Sequence, residues 1–169
     1  MKILSTLLIF GLIVLTAGCH FDPKVPKDVT YDYNVNYDFA TLKTYAWEPI
    51  STTVAGIDNF TANRIKKAAN AELLAKGLTM TVDNPDFLII TYGGSDQMPT
   101  VTWRGIDAPL YYEKGRLHFA FLDPKTDEVI WSGKAETKLD VRATPENEDA
   151  LINEVVQRIF TKFPPNPSN

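Results

Sequence analysis

The chain has 169 residues, 44% of them hydrophobic, 22% charged and 11% aromatic, a balance that excludes a disordered tail and a multi-spanning membrane protein and fits one globular domain. Seventeen Lys and Arg against 21 Asp and Glu give a net charge of -4, which offers no footprint for a nucleic-acid backbone, so no nucleic acid is expected as a partner. A chain of this length buries well over half of its unfolded surface and needs no disulfide or metal staple to fold.

Met1 to Cys19 carry one basic residue, Lys2, then an apolar run from Ile3 to Thr16 broken by Ser5, Thr6 and Gly11, then small residues before a cysteine. The run falls short of the roughly 20 apolar residues that span a hydrocarbon core, so a signal peptide over 1–18 is predicted rather than a permanent span. Leu15-Thr16-Ala17-Gly18-Cys19 resembles the lipobox of bacterial lipoproteins, with Thr16 in place of the usual aliphatic residue. The resemblance implies acylation of Cys19, by diacylglycerol and palmitate-type chains, and cleavage before it. An ordinary secretory signal would instead leave Cys19, the only cysteine, as a lone thiol without a disulfide partner.

His20 follows the cysteine, not the Asp of an inner-membrane retention signal, so by analogy the expected location is the periplasmic face of the outer membrane. Residues 19–28 then read as the lipidated cysteine and a tether with Pro23 and Pro26. The nine residues from His20 to Asp28 reach at most about 30 Å, which keeps the domain close to the membrane.

The first strand signal is Val29, Tyr31, Tyr33, Val35, Tyr37 and Phe39 alternating with polar residues. A turn near Ala40 to Leu42 leads to Lys43-Thr44-Tyr45-Ala46-Trp47, which reads as a strand ending at Pro49 and forming a hairpin with the first. The aromatics on its inner face suit packing against a helix rather than a ligand cage. Asp58 or Asn59 can cap a helix with Ile65, Ala68, Ala69 and Leu73 at helical spacing, ended by Gly77. Arg64, Lys66 and Lys67 then form its solvated face. After a turn at Asp83-Asn84-Pro85, the run Phe87-Leu88-Ile89-Ile90 predicts a central strand buried on both sides.

Residues 93–114 follow neither period and, with Gly93, Gly94, Pro99, Gly105 and Pro109, read as the long loop of the domain. A second hairpin follows: Leu117, Phe119 and Phe121 run out, Asp123-Pro124-Lys125-Thr126 turns, and Val129, Trp131, Gly133, Ala135, Thr137 and Leu139 return, with Lys134, Glu136 and Lys138 toward water. Thr144 caps the last helix, Pro145 opens it, and acidic Glu146, Glu148 and Asp149 suit its amino end. Its apolar stripe is Leu151, Ile152, Val155, Ile159 and Phe163, and Pro164 and Pro165 end it.

Several of these pieces together resemble a bacterial lipoprotein family known as domain of unknown function 4136. They are Tyr31-Asp32-Tyr33, Asp38-Phe39, Tyr45-Ala46-Trp47, Lys76-Gly77-Leu78, Asn84-Pro85-Asp86-Phe87-Leu88, Gly115-Arg116-Leu117, Leu122-Asp123-Pro124-Lys125-Thr126, Trp131-Ser132-Gly133 and Phe163-Pro164-Pro165. The resemblance implies an envelope location and a two-layer α/β shape; the family has no assigned reaction to carry over to any residue here. The expected fold class is α+β: a two-layer sandwich whose mixed, mostly antiparallel sheet of about five to six strands carries two helices on one face. The domain spans 29–165, with a tail over 166–169.

Nucleophilic hydrolysis needs a nucleophile, a base and a group that holds the base. Of the two histidines, His20 lies in the tether and His118 on the outward face of a strand. Ser95 lacks the second glycine of a nucleophile elbow, and no Gly-Lys-Ser/Thr follows Gly93-Gly94 to make a phosphate loop. With Cys19 acylated and histidines unclustered, zinc or copper has no evident ligand set, and no cofactor is expected. Asp96 and Asp107 are the one carboxylate pair considered for glycoside cleavage.

The remaining candidates for binding a ligand or partner are Tyr92, Trp103, Arg104, Tyr111 and Tyr112, residue types that dominate binding hot spots; the alternative is that the rings cover a sheet edge. The leading expectation is a lipid-anchored, non-catalytic binding or assembly module, held to the membrane by its N-terminal lipid and facing an envelope protein or glycan. The second is an envelope hydrolase or a glycan- or peptide-binding protein that uses the 93–114 loop.

Overall fold

The computed structural model describes residues 29–48, 58–97, 102–103, 106–107, 113–139 and 143–165, with backbone alone for 95–97, 102–103, 106–107 and 113. The expected signal peptide, Cys19, the tether and the tail over 166–169 lie outside the described residues. In chain order come β1 (Val29–Tyr33), a 3-10 turn (Phe39–Thr41), β2 (Thr44–Trp47), α1 (Asn59–Ala75), β3 (Thr79–Met80), β4 (Phe87–Gln97), β5 (Thr102–Trp103), β6 (Ile106–Asp107), β7 (Glu113–Leu122), β8 (Val129–Leu139) and α2 (Pro145–Phe160). Six strands form one sheet in the order β1-β8-β7-β4-β2-β3, and β5 and β6 pair separately. Contacts among β1, β8, β7 and β4 are antiparallel, whereas β4–β2 and β2–β3 are parallel. The fold is thus α+β, with a mixed, mostly antiparallel sheet and two helices.

Alternation along the long strands sends every second side chain into the core. Phe87 and Ile89 of β4, Leu117, Phe119 and Phe121 of β7, and Trp131 and Ala135 of β8 meet Ile65, Ala68, Ala69 and Leu73 of α1 and Val155, Val156, Ile159 and Phe160 of α2. Phe121 lies at the centre of an aromatic cluster, with ring centroids 4.7 Å from each of Phe87, Trp131 and Phe163. The buried Trp131 indole donates to the Lys162 carbonyl at 3.2 Å, so its one polar group is satisfied. Gly133 makes room for that ring: a Cβ there would stand 2.5 Å from Trp131 and 2.8 Å from Ile159.

Both helices begin as their sequences dictate. The Asp58 carboxylate accepts the amides of Phe60 and Thr61, and Gly77, at φ 81°, follows the end of α1. The Thr144 hydroxyl accepts the Asn147 amide, with Pro145 opening α2. Arg64, early in α1, pairs with Glu148 at 2.7 Å and Asp149 at 3.1 Å, early in α2. The two amino ends therefore sit side by side.

The structure corrects the expected first hairpin. β1 pairs with β8, and β2 instead lies parallel between β3 and β4. Asp86 accounts for the choice, because its carboxylate accepts the Lys43 and Thr44 amides and the Thr44 hydroxyl, tying the start of β2 to the start of β4. The first strand also stops at Tyr33 rather than Phe39. Asn34 accepts the Asn36 amide and Asp38 caps the 3-10 turn, so Val35 falls on a turn and is 77% exposed.

β4 is central as expected but fully buried on one face only. Phe87 and Ile89 are covered, whereas Leu88 and Ile90 on the other face are half-buried. The expected loop over 93–114 is also shorter than its sequence suggested, because Gly93 to Gln97 pair with Leu117 to Glu113. Ser95 thus lies in a strand rather than a loop. Nor is the basic side of α1 wholly solvated: Arg64 is held by α2, and the Lys66 ammonium lies 5.1 Å from the Trp47 ring centroid.

Candidate functional site

Of the binding residues expected from sequence, Tyr92 is placed with its side chain. It stands on the sheet face opposite the helices, 45% exposed, with its ring edge-to-face on His118 at 4.3 Å. Burial, then the neighbouring Lys134 ammonium, holds the His118 imidazole below its ordinary pKa, and burial raises the Tyr92 phenol. Trp103 lies on β5 opposite Ile106, described by its backbone alone. Arg104, Tyr111, Tyr112 and Cys19 fall outside the described residues. Asp96 lies on β4 and Asp107 on β6, without described side chains.

A more developed site lies on the helix side of the sheet. Between the β4–β7–β8 end and the first turns of α1 and α2 opens a cleft of about 250 Å³. Ile65 from α1, Leu151, Ile152 and Val155 from α2, and Leu117, Ala135 and Leu139 from the sheet line it. Gly115 shapes it by omission: a Cβ there would meet the Leu139 side chain at 2.9 Å, so glycine lets that leucine lie across β7. Leu139, Leu151 and Ile152 remain only half-buried.

The polar groups at the cleft edge have partners within the protein. The Asp58 carboxylate accepts the Thr61 hydroxyl at 2.8 Å and the Phe60 and Thr61 amides, which holds its pKa below the usual carboxylate range. Arg116 and Thr137, which also line the cleft, are likewise engaged. The arrangement suits an apolar guest rather than one that must be hydrogen-bonded. Sequence reasoning missed this cleft. In sequence Leu139 reads as the end of an alternating strand and Ile65, Leu151, Ile152 and Val155 as helix stripes, and the available signal is Gly115, a glycine where β7 needs a side chain on its inner face.

The opposite end of the fold is made of turns, where polar groups stand beside the exposed Val35 and Val129. The Tyr37 hydroxyl donates to Asp123 at 3.4 Å, and Asp123 accepts the Lys125 amide at 2.7 Å. Asp86 closes the β2 start there, and Phe39 packs edge-on to Phe163 at 6.0 Å. Many of the motif pieces quoted above thus meet at one end, in structural roles. Among the described residues no group of three or more His, Cys, Asp or Glu side chains could hold a metal ion, and no helix is long and apolar enough to cross a membrane.

The family described as "Domain of unknown function (DUF4136)" matches residues 29–165. No curated protein matches the sequence. Among solved structures, a PDZ domain protein from Parabacteroides distasonis is similar with a TM-score of 0.60 at 18% identity, covering 82% of this chain and 35% of that one, so the chain spans about a third of that protein's length. The PelC dodecamer from Paraburkholderia phytofirmans aligns with a TM-score of 0.48 at 14% identity, over 78% of this chain and 98% of that one. A minor lipoprotein from Acinetobacter baumannii aligns with a TM-score of 0.43 at 14% identity, over 71% of this chain and 91% of that one. The first likeness speaks to the fold alone.

Proposed function

We propose a function from one premise: the chain belongs to the family described as domain of unknown function DUF4136. It acts as a lipid-anchored envelope domain without catalysis of its own, holding a binding cleft beside the periplasmic face of the outer membrane. The lipobox-like Leu15-Thr16-Ala17-Gly18-Cys19 supports the anchor. The observation that carries the reading is where the domain begins. Val29 pairs with Ala135, a residue that lines the cleft, so the described domain begins at the cleft end of the sheet, which supports a tether from Cys19 joining there.

Attachment through acyl chains rests on about 0.8 kcal/mol per buried methylene and needs two or more chains to be stable. Nine tether residues reach at most about 30 Å, which keeps the cleft end, where the described domain begins, within that distance of the bilayer surface. Density-gradient fractionation of cells tests the reading. The wild-type chain should band with the outer membrane and Cys19→Ala should move to the soluble envelope fraction; a wild-type chain found soluble contradicts it.

A further inference from the structure

We infer that the cleft between the first turns of α1 and α2 and the β4–β7–β8 end takes one hydrocarbon chain of a membrane lipid. The inference deepens the proposed function and rests on its membrane-proximal orientation. Its first support is chemical. Six aliphatic side chains, Ile65, Leu117, Leu139, Leu151, Ile152 and Val155, offer contact without hydrogen bonds; of the polar groups that also line the cleft, Asp58 and Thr61 are bonded to each other, and Arg116 and Thr137 are likewise engaged. A glycan would lose its water without gaining partners there.

Size is the second support. A volume of about 250 Å³ lies below the roughly 300–1,000 Å³ of sites for whole drug-sized ligands, so the cleft has room for part of a lipid and not for a whole one. Position is the third. The tether joins at Val29, opposite the cleft residue Ala135. Phe60, between the cleft-lining residues Asp58 and Thr61, is 80% exposed, an apolar ring in water at that same end. An exposed aromatic side chain finds a favourable place at a membrane interface.

The test uses the mature chain over 19–169 with Cys19→Ala, so that its own acyl chains cannot fill the cleft; the buried core runs from Tyr45 to Phe163 and lies wholly within it. Dansyl-labelled undecanoic acid is titrated and its fluorescence followed. The inference expects saturable one-to-one binding, displacement by lauric acid, and at least roughly tenfold weaker binding for Ile152→Asn. Leu151→Gln, at a second half-buried lining position, should weaken binding similarly and guards against a folding defect in the first variant. Phe60→Ser should leave dansyl-undecanoate binding unchanged while lowering co-sedimentation with phosphatidylglycerol vesicles.

No saturable binding, equal binding by both cleft variants, or displacement by an apolar peptide but not by lauric acid would overturn the inference. Because the anchor is absent from this assay, a wild-type chain found unlipidated in cells would sink the proposed function without changing the fluorescence result.

Discussion

Val29 lies directly opposite Ala135 in the β1–β8 ladder, and Ala135 is part of the cleft lining. This one pairing gives the domain two unlike ends. At one, β1 begins beside an apolar cleft and an exposed Phe60; at the other, Asp86, Asp123 and Tyr37 hold turns that also leave Val35 and Val129 exposed.

Gly133→Ala is expected to destabilise the domain. Its Cβ would press on the Trp131 ring and Ile159, both fully buried, and overpacking of this kind costs about 1–3 kcal/mol. Urea unfolding followed by Trp fluorescence should show the midpoint falling with an unchanged slope. An unaltered midpoint would mean that the indole can move aside.

Asp86→Asn should cost roughly 1–3 kcal/mol, since a charged acceptor for the Lys43 and Thr44 amides and the Thr44 hydroxyl is lost. The Lys43 amide, foremost, with the Thr44 groups, holds the Asp86 carboxyl below its ordinary 3.8. Its stabilisation is therefore complete above that value and is lost as pH falls through the lower folded value. Comparing wild type and variant from pH 5 downward should show the gap between them closing only in acid.

His118 gives a second pH window. Its folded pKa lies below the ordinary 6.5 through burial and then Lys134, so the unfolded chain takes up the proton first. Stability contributed by the neutral ring is present above pH 6.5 and declines as pH drops toward the folded value. An NMR titration should place the His118 midpoint below 6.5, and Lys134→Met should move it upward. A midpoint at or above 6.5 would contradict the packing of His118 beneath Tyr92.

Much of the architecture was legible in local pattern. The α1 and α2 caps, Gly77 and the β7–β8 hairpin all follow from residues a few positions apart. What was not legible depends on long-range choice. Nothing in the Val29–Tyr33 alternation says that its partner is β8, more than 90 residues on, rather than the adjacent β2. The Asp86 clamp on β2 bridges 42 residues and decides that question. Likewise, residues 93–97 and 113–117 gain strand structure from each other despite their glycines, and the cleft exists because two helices and three strands end together. Tyr92 was legible as an exposed aromatic, but its position on the face away from the cleft was not.

The central claim, that Cys19 carries the chains that hold this domain at a membrane, is tested most directly by intact-mass measurement of the mature protein from envelope extracts. The account predicts an amino-terminal residue at Cys19 and a mass exceeding the bare polypeptide by a diacylglycerol and a further acyl chain, with the addition gone in Cys19→Ala. A wild-type protein recovered at its unmodified mass would contradict it.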